Sequence, residues 1–294
     1  MGRTPLEPLA SGGRRMNFTV ALGAARAKSR PGAGPGLLSR LVSKLGASGW
    51  RPWLAPLAAL LVWEIGAHLP GVDARFLPSL EAVAVRGWRG FVHDDLFHHV
   101  LASLGRDLAG FVLGACAGVS AGLVLGFSPL AQRALGPTLM TYRQISLFAW
   151  IPLVSMWFGG NEAGKIAFIA MAAFQPTLVN SWRGVAEVPK SYRELSNVLL
   201  FGRLGFVWLI ALPCALPQIF TGLHSALICA WAGTVGAELL FNIAPGIGGQ
   251  MNEGQQLFQM DRLLLCILLL GGVGLLFNLL ARAAERRLLR WRTL

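Results

Sequence analysis

The sequence predicts an all-α polytopic membrane protein of about six transmembrane helices with both termini cytoplasmic, and three observations carry that prediction. More than half of the 294 residues are apolar and only 14% are charged, where a soluble domain is usually about a quarter charged. Six segments approach the length and apolarity needed to cross a hydrocarbon core about 30 Å thick, roughly 20 residues of helix. Lys and Arg, finally, are shared unequally between the loops on the two sides.

The predicted spans cover residues 52–69, 108–127, 135–158, 166–182, 216–240 and 263–281. Helix is the only secondary structure that fits, because lipid cannot satisfy open backbone groups and the alternation of a barrel strand is absent. Nineteen Lys and Arg fall on the side that holds both chain ends, against six on the other. That asymmetry places both ends in the cytoplasm. Arg143 lies inside the third span, close enough to its cytoplasmic end to snorkel.

Residues 1–50 are rich in Arg, Gly, Pro and Ala and nearly free of acid. They read as a disordered basic cytoplasmic tail. Arg14-Arg15 invites a twin-arginine signal, but residues 17–27 make a poor hydrophobic region and no cleavage site follows. Residues 51–294 then form the transmembrane domain, with a cytoplasmic loop at about 183–215.

The net charge of +12 does not indicate nucleic acid, because the basic residues collect at chain ends and in loops without a reading module. Cys116, Cys214, Cys229 and Cys266 lack zinc or disulfide spacing and read as small packing residues. Gly159 to Lys165 matches a phosphate-loop pattern, yet Ile166 stands where Ser or Thr must hold magnesium. Gly246-Ile247-Gly248-Gly249 lacks the strand–turn–helix context of a dinucleotide site and reads as a flexible external turn. His93, Asp94, Asp95, His98 and His99 allow ligands at i,i+4 spacing, but an exposed polar face of a short external helix accounts for them better. No catalytic residue, metal site or cofactor is expected.

Within the spans, Glu64 and Glu238 stand out, since an acid at a helix centre costs about 2.5–3.5 kcal/mol on insertion scales. Both are pathway candidates, with a hydrogen bond to a neighbouring helix as the plainer reading; His224 is similarly ambiguous. The second span repeats glycine every fourth residue, at Gly110, Gly114, Gly118, Gly122 and Gly126. Such a face lets another helix approach closely, within the subunit or across a subunit interface.

The loop at 183–215 contains an amphipathic segment. Pro189 can open a short helix, Glu194 favours its first turns, and Leu195, Val198 and Leu199 share an apolar face. Lys190 and Arg193 stay wet, and Gly202 and Gly205 can stop or bend the helix. Spacing alone leaves two uses open, a partner-docking element or an interfacial brace.

An ordered set of motifs resembles the integral-membrane subunits of bacterial ABC importers of the nitrate/sulfonate/taurine type, over roughly residues 53–291. Val62-Trp63-Glu64, Phe76-Leu77-Pro78-Ser79 and Ser103-Leu104-Gly105-Arg106 precede the glycine stripe. Pro152-Leu153, Trp157-Phe158-Gly159 and Lys165-Ile166-Ala167 follow it. Glu194 stands nineteen residues before Pro213, and Leu212-Pro213 with Leu216-Pro217 resembles the L-P-x-x-L-P ending of the family's coupling motif. Ala237-Glu238, Gly246-Ile247-Gly248 and the basic end from Glu285 to Trp291 complete the match.

The resemblance implies that Glu194, Leu195, Ser196, Gly202, Leu212, Pro213 and Pro217 couple the chain to a separate cytoplasmic ATPase dimer. It also implies a second permease subunit, identical or different, a periplasmic solute-binding protein, and a small anion as cargo. Four departures are visible. Glu194-Leu195-Ser196 replaces Glu-Ala-Ala, Leu200 occupies the position of a glycine with Gly202 displaced beyond it, and Ser146 stands where Pro is frequent. Trp208-Leu209-Ile210-Ala211 also replaces the basic residues usual before Leu-Pro. Two other classes fit the composition: a proton-coupled secondary transporter using Glu64 or Glu238, and a degenerate non-transporting partner.

Overall fold

A computed structural model describes residues 51–73, 75–241 and 245–288; the expected tail at 1–50 and the last residues of the basic end, 289–294, lie outside them. The helical bundle lies within Val62–Leu294. Ten helices follow one another, with no strand among the described residues. They are α1 (Arg51–Ala67), α2 (Leu80–Val92), α3 (Leu96–Phe127), α4 (Pro129–Gln144) and α5 (Ile151–Phe158). Then come α6 (Glu162–Ala186), α7 (Lys190–Val198), α8 (Arg203–Phe241), α9 (Ile247–Gln256) and α10 (Met260–Leu288).

Helices α3, α8 and α10 are long and apolar enough to cross a membrane, with shorter apolar helices at Leu54–Ala67 and Leu147–Phe158. Helix α6 has the length, 25 residues, but carries Glu162, Lys165 and Arg183. The α10 surface suits lipid: Cys266 is its one buried residue, while Leu268, Leu275, Leu276, Leu279 and Leu280 are exposed. Such a leucine face in water would be an aggregation surface.

Three predicted boundaries need correction. The second span begins at Leu96, not 108, because the polar residues that interrupt the hydropathy are partnered within the protein. The third span is not one helix. Its backbone leaves helix at Ile145 and Ser146, passes a 3₁₀ turn at Leu147–Trp150, and restarts as α5 with Pro152 in the first turn, where a missing N–H costs nothing. The cytoplasmic loop is also shorter than 183–215. Helix α6 runs to Ala186 and α8 starts at Arg203, so Leu212, Pro213 and Pro217 are helical. A π-helical stretch at Val207–Ala211 precedes the prolines; wider turns of this kind absorb irregularity without ending a helix.

The core is a close-packed trio, α3 on α6 and α6 on α8. Phe168, Ile169 and Ala173 of α6 meet Ala226, Ala230, Ala237 and Phe241 of α8, with Val154 of α5 alongside. Every member of the α3 glycine stripe faces α6. A Cβ at Gly110 would meet Ile169, at Gly114 the Ala170 carbonyl, at Gly118 Thr177, at Gly122 the Leu178 carbonyl and at Gly126 Val185. The stripe therefore serves packing within the subunit. His224 pairs with Asn278 at 2.9 Å and the Trp231 indole donates to the Leu270 carbonyl at 3.0 Å, together fastening α8 to α10.

The first two motifs meet at the start of α2. Trp63 Nε1 donates to the Pro78 carbonyl at 3.1 Å, and the Leu80 amide donates to Glu64 Oε2 at 2.9 Å. Ser79 caps the same helix by accepting from the Ala82 amide. Glu64 thus satisfies one of the orphan amides of a helix N-terminus, where negative charge is favoured.

A buried charge cluster and an exposed short helix

One face of α3 changes character along its length. His99, Ser103, Arg106 and Asp107 recur at helical spacing and run directly into the glycine stripe, so the polar head and the small-residue tail share a face. Around that head gather Glu162 and Lys165 from the first turn of α6, Thr234 and Glu238 from α8, and the N-terminus of α9.

Glu238 is the hub, 1% exposed. It accepts from Ser103 Oγ at 2.7 and 2.9 Å, from Arg106 Nη1 at 2.8 Å, and from the Gly248 amide at 2.8 Å. The Ile247 amide donates to Ser103 Oγ at 2.9 Å, and the Gly246 amide to His99 Nδ1 at 3.0 Å. Three successive amides at the head of α9 are thus captured by side chains of two other helices. A Cβ at Gly246 would lie 2.6 Å from the Glu238 carboxyl carbon, and one at Gly248 would lie 2.5 Å from Glu238 Cβ. The segment is no flexible turn; glycine is required because backbone lies directly on the carboxylate.

Arg106 also bonds Glu162 through Nε and, at 2.8 Å, through Nη2. Burial acts to raise the Glu162 carboxyl, but the bonded Arg106 guanidinium outweighs it and holds Glu162 below its ordinary range. Lys165, fully buried, lies 3.5 Å from Glu162. Thr234 donates to Asp107 Oδ1 at 2.9 Å, while Asp107 Oδ2 is buried with no partner among the described residues. Buried charges are tolerated when paired and fully hydrogen-bonded, and Glu238 meets that condition on both oxygens.

No grouping of ligands suited to a metal occurs among the described residues. The run from His93 to His99 is not one helical face. His93 caps α2, Asp94 lies 3.6 Å from Arg86, and Asp95 adopts a left-handed conformation before α3 begins. Of the cluster, the sequence offers Glu238 as a pathway candidate, His99 within a polar run, and Arg106 and Lys165 among the six basic residues outside the cytoplasmic loops; the spacing His99–Ser103–Arg106–Gly110 is the signal that places three of them on one face.

The opposite end of α3 abuts a different surface. Helix α7 presents Glu194, Leu195, Val198 and Leu199 to the outside, with Ser196 as its one buried residue. The helix stops through Leu200, which takes a left-handed conformation at φ 54°. The Phe201 amide there donates to the Ser196 carbonyl at 3.0 Å and the Leu200 amide to Asn197 at 3.1 Å. This is the usual glycine-terminated helix end, with leucine in the glycine position. Gly202, by contrast, is extended and caps α8. Of the predicted coupling residues, Glu194, Leu195 and Ser196 sit on α7 and Gly202 at the head of α8. Leu212, Pro213 and Pro217 lie further along α8, with Leu212 packed on the cluster of Val185, Ala215 and Ile219.

Residues 114–290 match the family described as binding-protein-dependent transport system inner membrane component. The chain is 32% identical over 244 residues to the taurine transport system permease protein TauC of Escherichia coli (strain K12), covering 81% of this chain and 88% of the relative. It is 30% identical over 269 residues to the bicarbonate transport system permease protein CmpB of Synechococcus elongatus, covering 83% and 94%. With the riboflavin transport system permease protein RibX of Chloroflexus aurantiacus it shares 30% over 232 residues, covering 79% and 86%. The all-helical bundle, its apolar spans and these matches agree: the chain belongs to the binding-protein-dependent transport system inner membrane component family, as a multi-pass transport permease of the inner membrane.

Proposed function

We propose that this permease is one subunit of an ATP-driven importer and that the segment around α7 seats on a separate cytoplasmic ATPase. The observation that carries the reading is the exposure of α7 and its exit. Val198 is 77% exposed, Leu199 53% and Leu200 90%, large apolar side chains on a short helix and its exit turn, between two long helices. Apolar side chains that neither pack inward nor belong to a spanning helix call for a partner surface. The excess of Lys and Arg on the same side supports a cytoplasmic position.

In this reading ATPase closure displaces α7, and the bundle responds as a two-state element between outward- and inward-open forms. A second permease subunit completes the pathway, and a periplasmic binding protein delivers the solute. A small anion of the sulfonate, taurine, nitrate or bicarbonate class is the proposed cargo, supported by the names of two of the three relatives above. Ligand identification from the co-purified binding protein tests it, and a large neutral ligand overturns it.

Two observations weigh against the other classes. Glu238 has both oxygens hydrogen-bonded, one of them to the Arg106 guanidinium, and Glu64 caps a helix N-terminus, which supports fastening roles over a proton relay. The turn at Leu200 keeps a glycine-type geometry despite the substitution, which supports a working coupling segment over a degenerate one. The direct test is Glu194→Lys: ATPase co-purification and solute uptake should both fall while the chain still inserts. Unchanged co-purification together with unchanged uptake removes the coupling assignment.

A further inference from the structure

Behind α7, between its buried side and the end of α3, lies a recess of about 520 Å³ bordered by Phe127, Arg193, Ser196, Asn197, Arg203 and Phe206. No acidic residue lines it among the described residues. Neither arginine pairs with a carboxylate among the described residues. The Arg193 guanidinium carbon stands 6.0 Å from the centre of the Phe206 ring, which holds the charge against the apolar wall. One turn further along α8, Leu204, Trp208 and Leu209 are all exposed. An outward-facing Trp beside leucines is the residue pattern of the membrane–water interface. The recess therefore combines two unneutralised guanidinium groups and polar Ser and Asn side chains, and the helix that supplies Arg203 and Phe206 also exposes Leu204, Trp208 and Leu209.

We infer that this recess binds the phosphodiester headgroup of an anionic phospholipid, with its acyl chains lying along Leu204, Trp208 and Leu209. Arginine suits the assignment because its planar fork matches phosphate oxygens. Basic recesses between spanning helices on the cytoplasmic side are recognised sites for anionic headgroups. The inference goes beyond ATPase coupling, since the recess lies on the bundle side of α7 and the apolar side chains offered to the ATPase lie on the other. A bound lipid would brace α7 against α3 and α8.

The test uses the full-length chain in neutral detergent, exchanged into lipid nanodiscs, with retained phosphatidylglycerol and phosphatidylcholine counted by native mass spectrometry. The wild-type chain should retain phosphatidylglycerol in preference to phosphatidylcholine. Arg193→Ala with Arg203→Ala should weaken phosphatidylglycerol retention by about thirtyfold, from the usual contribution of two arginines near an anionic surface. Arg193→Lys with Arg203→Lys should keep most of it. Asn197→Glu, at an exposed position, should repel the headgroup without removing either arginine, which covers the case of a poorly folded alanine pair. Equal retention of the two lipids overturns the inference. So does displacement of phosphatidylglycerol by excess inorganic phosphate, which would mark a free-anion site. An alanine pair that keeps its lipid but loses the ATPase would assign the arginines to protein docking instead.

Discussion

The two ends of α3 solve opposite problems. At one end, nearly every polar group is buried and answered: Glu238 accepts four hydrogen bonds from three sources, and the first amides of α9 close on side chains of α3 and α8. At the other, α7 leaves Val198, Leu199 and Leu200 uncovered. A buried ionic cluster tolerates no loss of a member, because each removal strands a charge in low dielectric. An exposed apolar helix tolerates most changes as an isolated surface and fails only when its partner is present. The first end is a fastening and the second, as proposed, a contact, and substitutions should separate them.

The largest effect is expected from Arg106→Ala. It leaves Glu238 and Glu162 without their guanidinium and should cost about 3–5 kcal/mol, read as a large fall in thermal unfolding temperature in detergent. A fall no greater than that of a surface variant would mean the cluster is not the fastening described. Next comes Gly114→Ala, whose methyl group meets the Ala170 carbonyl of α6. Overpacking of this kind costs about 1–3 kcal/mol, and the same measurement reads it. Leu200→Gly reverses the sign: relief of a left-handed leucine should stabilise by roughly 1 kcal/mol, as a small rise in unfolding temperature, while ATPase co-purification falls with the loss of an exposed apolar side chain. The smallest stability change belongs to Glu194→Lys, within about 0.5 kcal/mol of wild type as for most surface substitutions. If its unfolding temperature falls as far as that of Arg106→Ala, the contrast between the two ends collapses.

How much of this was legible depended on whether partners lay close in sequence. Helix periods, apolar lengths and loop charge are local quantities, and they located the spans and the short helix α7. The glycine stripe announced a close approach but not its target, since Gly118 meeting Thr177 joins residues far apart in the chain. Helix α3 was cut short because Arg106 and Asp107 look like an interface from their own segment; their partners, Glu162, Glu238 and Thr234, enter 55 or more residues later. The break at Ile145 and Ser146 had one cue, Pro152, which marks a helix start only in hindsight of the turn before it. Leu200 is the converse case. The family pattern puts glycine there, and φ 54° supplies the physical reason.

Helix α8 has a mechanical consequence. Its 39 residues run from Arg203, just past the exit of α7, to Phe241, one turn beyond Glu238, where α9 is gripped. At 1.5 Å per residue the rod is about 58 Å long, so a tilt of about 5° at its base carries the far end sideways by about 5 Å. That is more than the bonds around Glu238 can stretch. A push at one surface of the membrane must therefore either carry α9 along or spend itself in the wide turns at Val207–Ala211, and the compliance of that short joint sets the gearing between them.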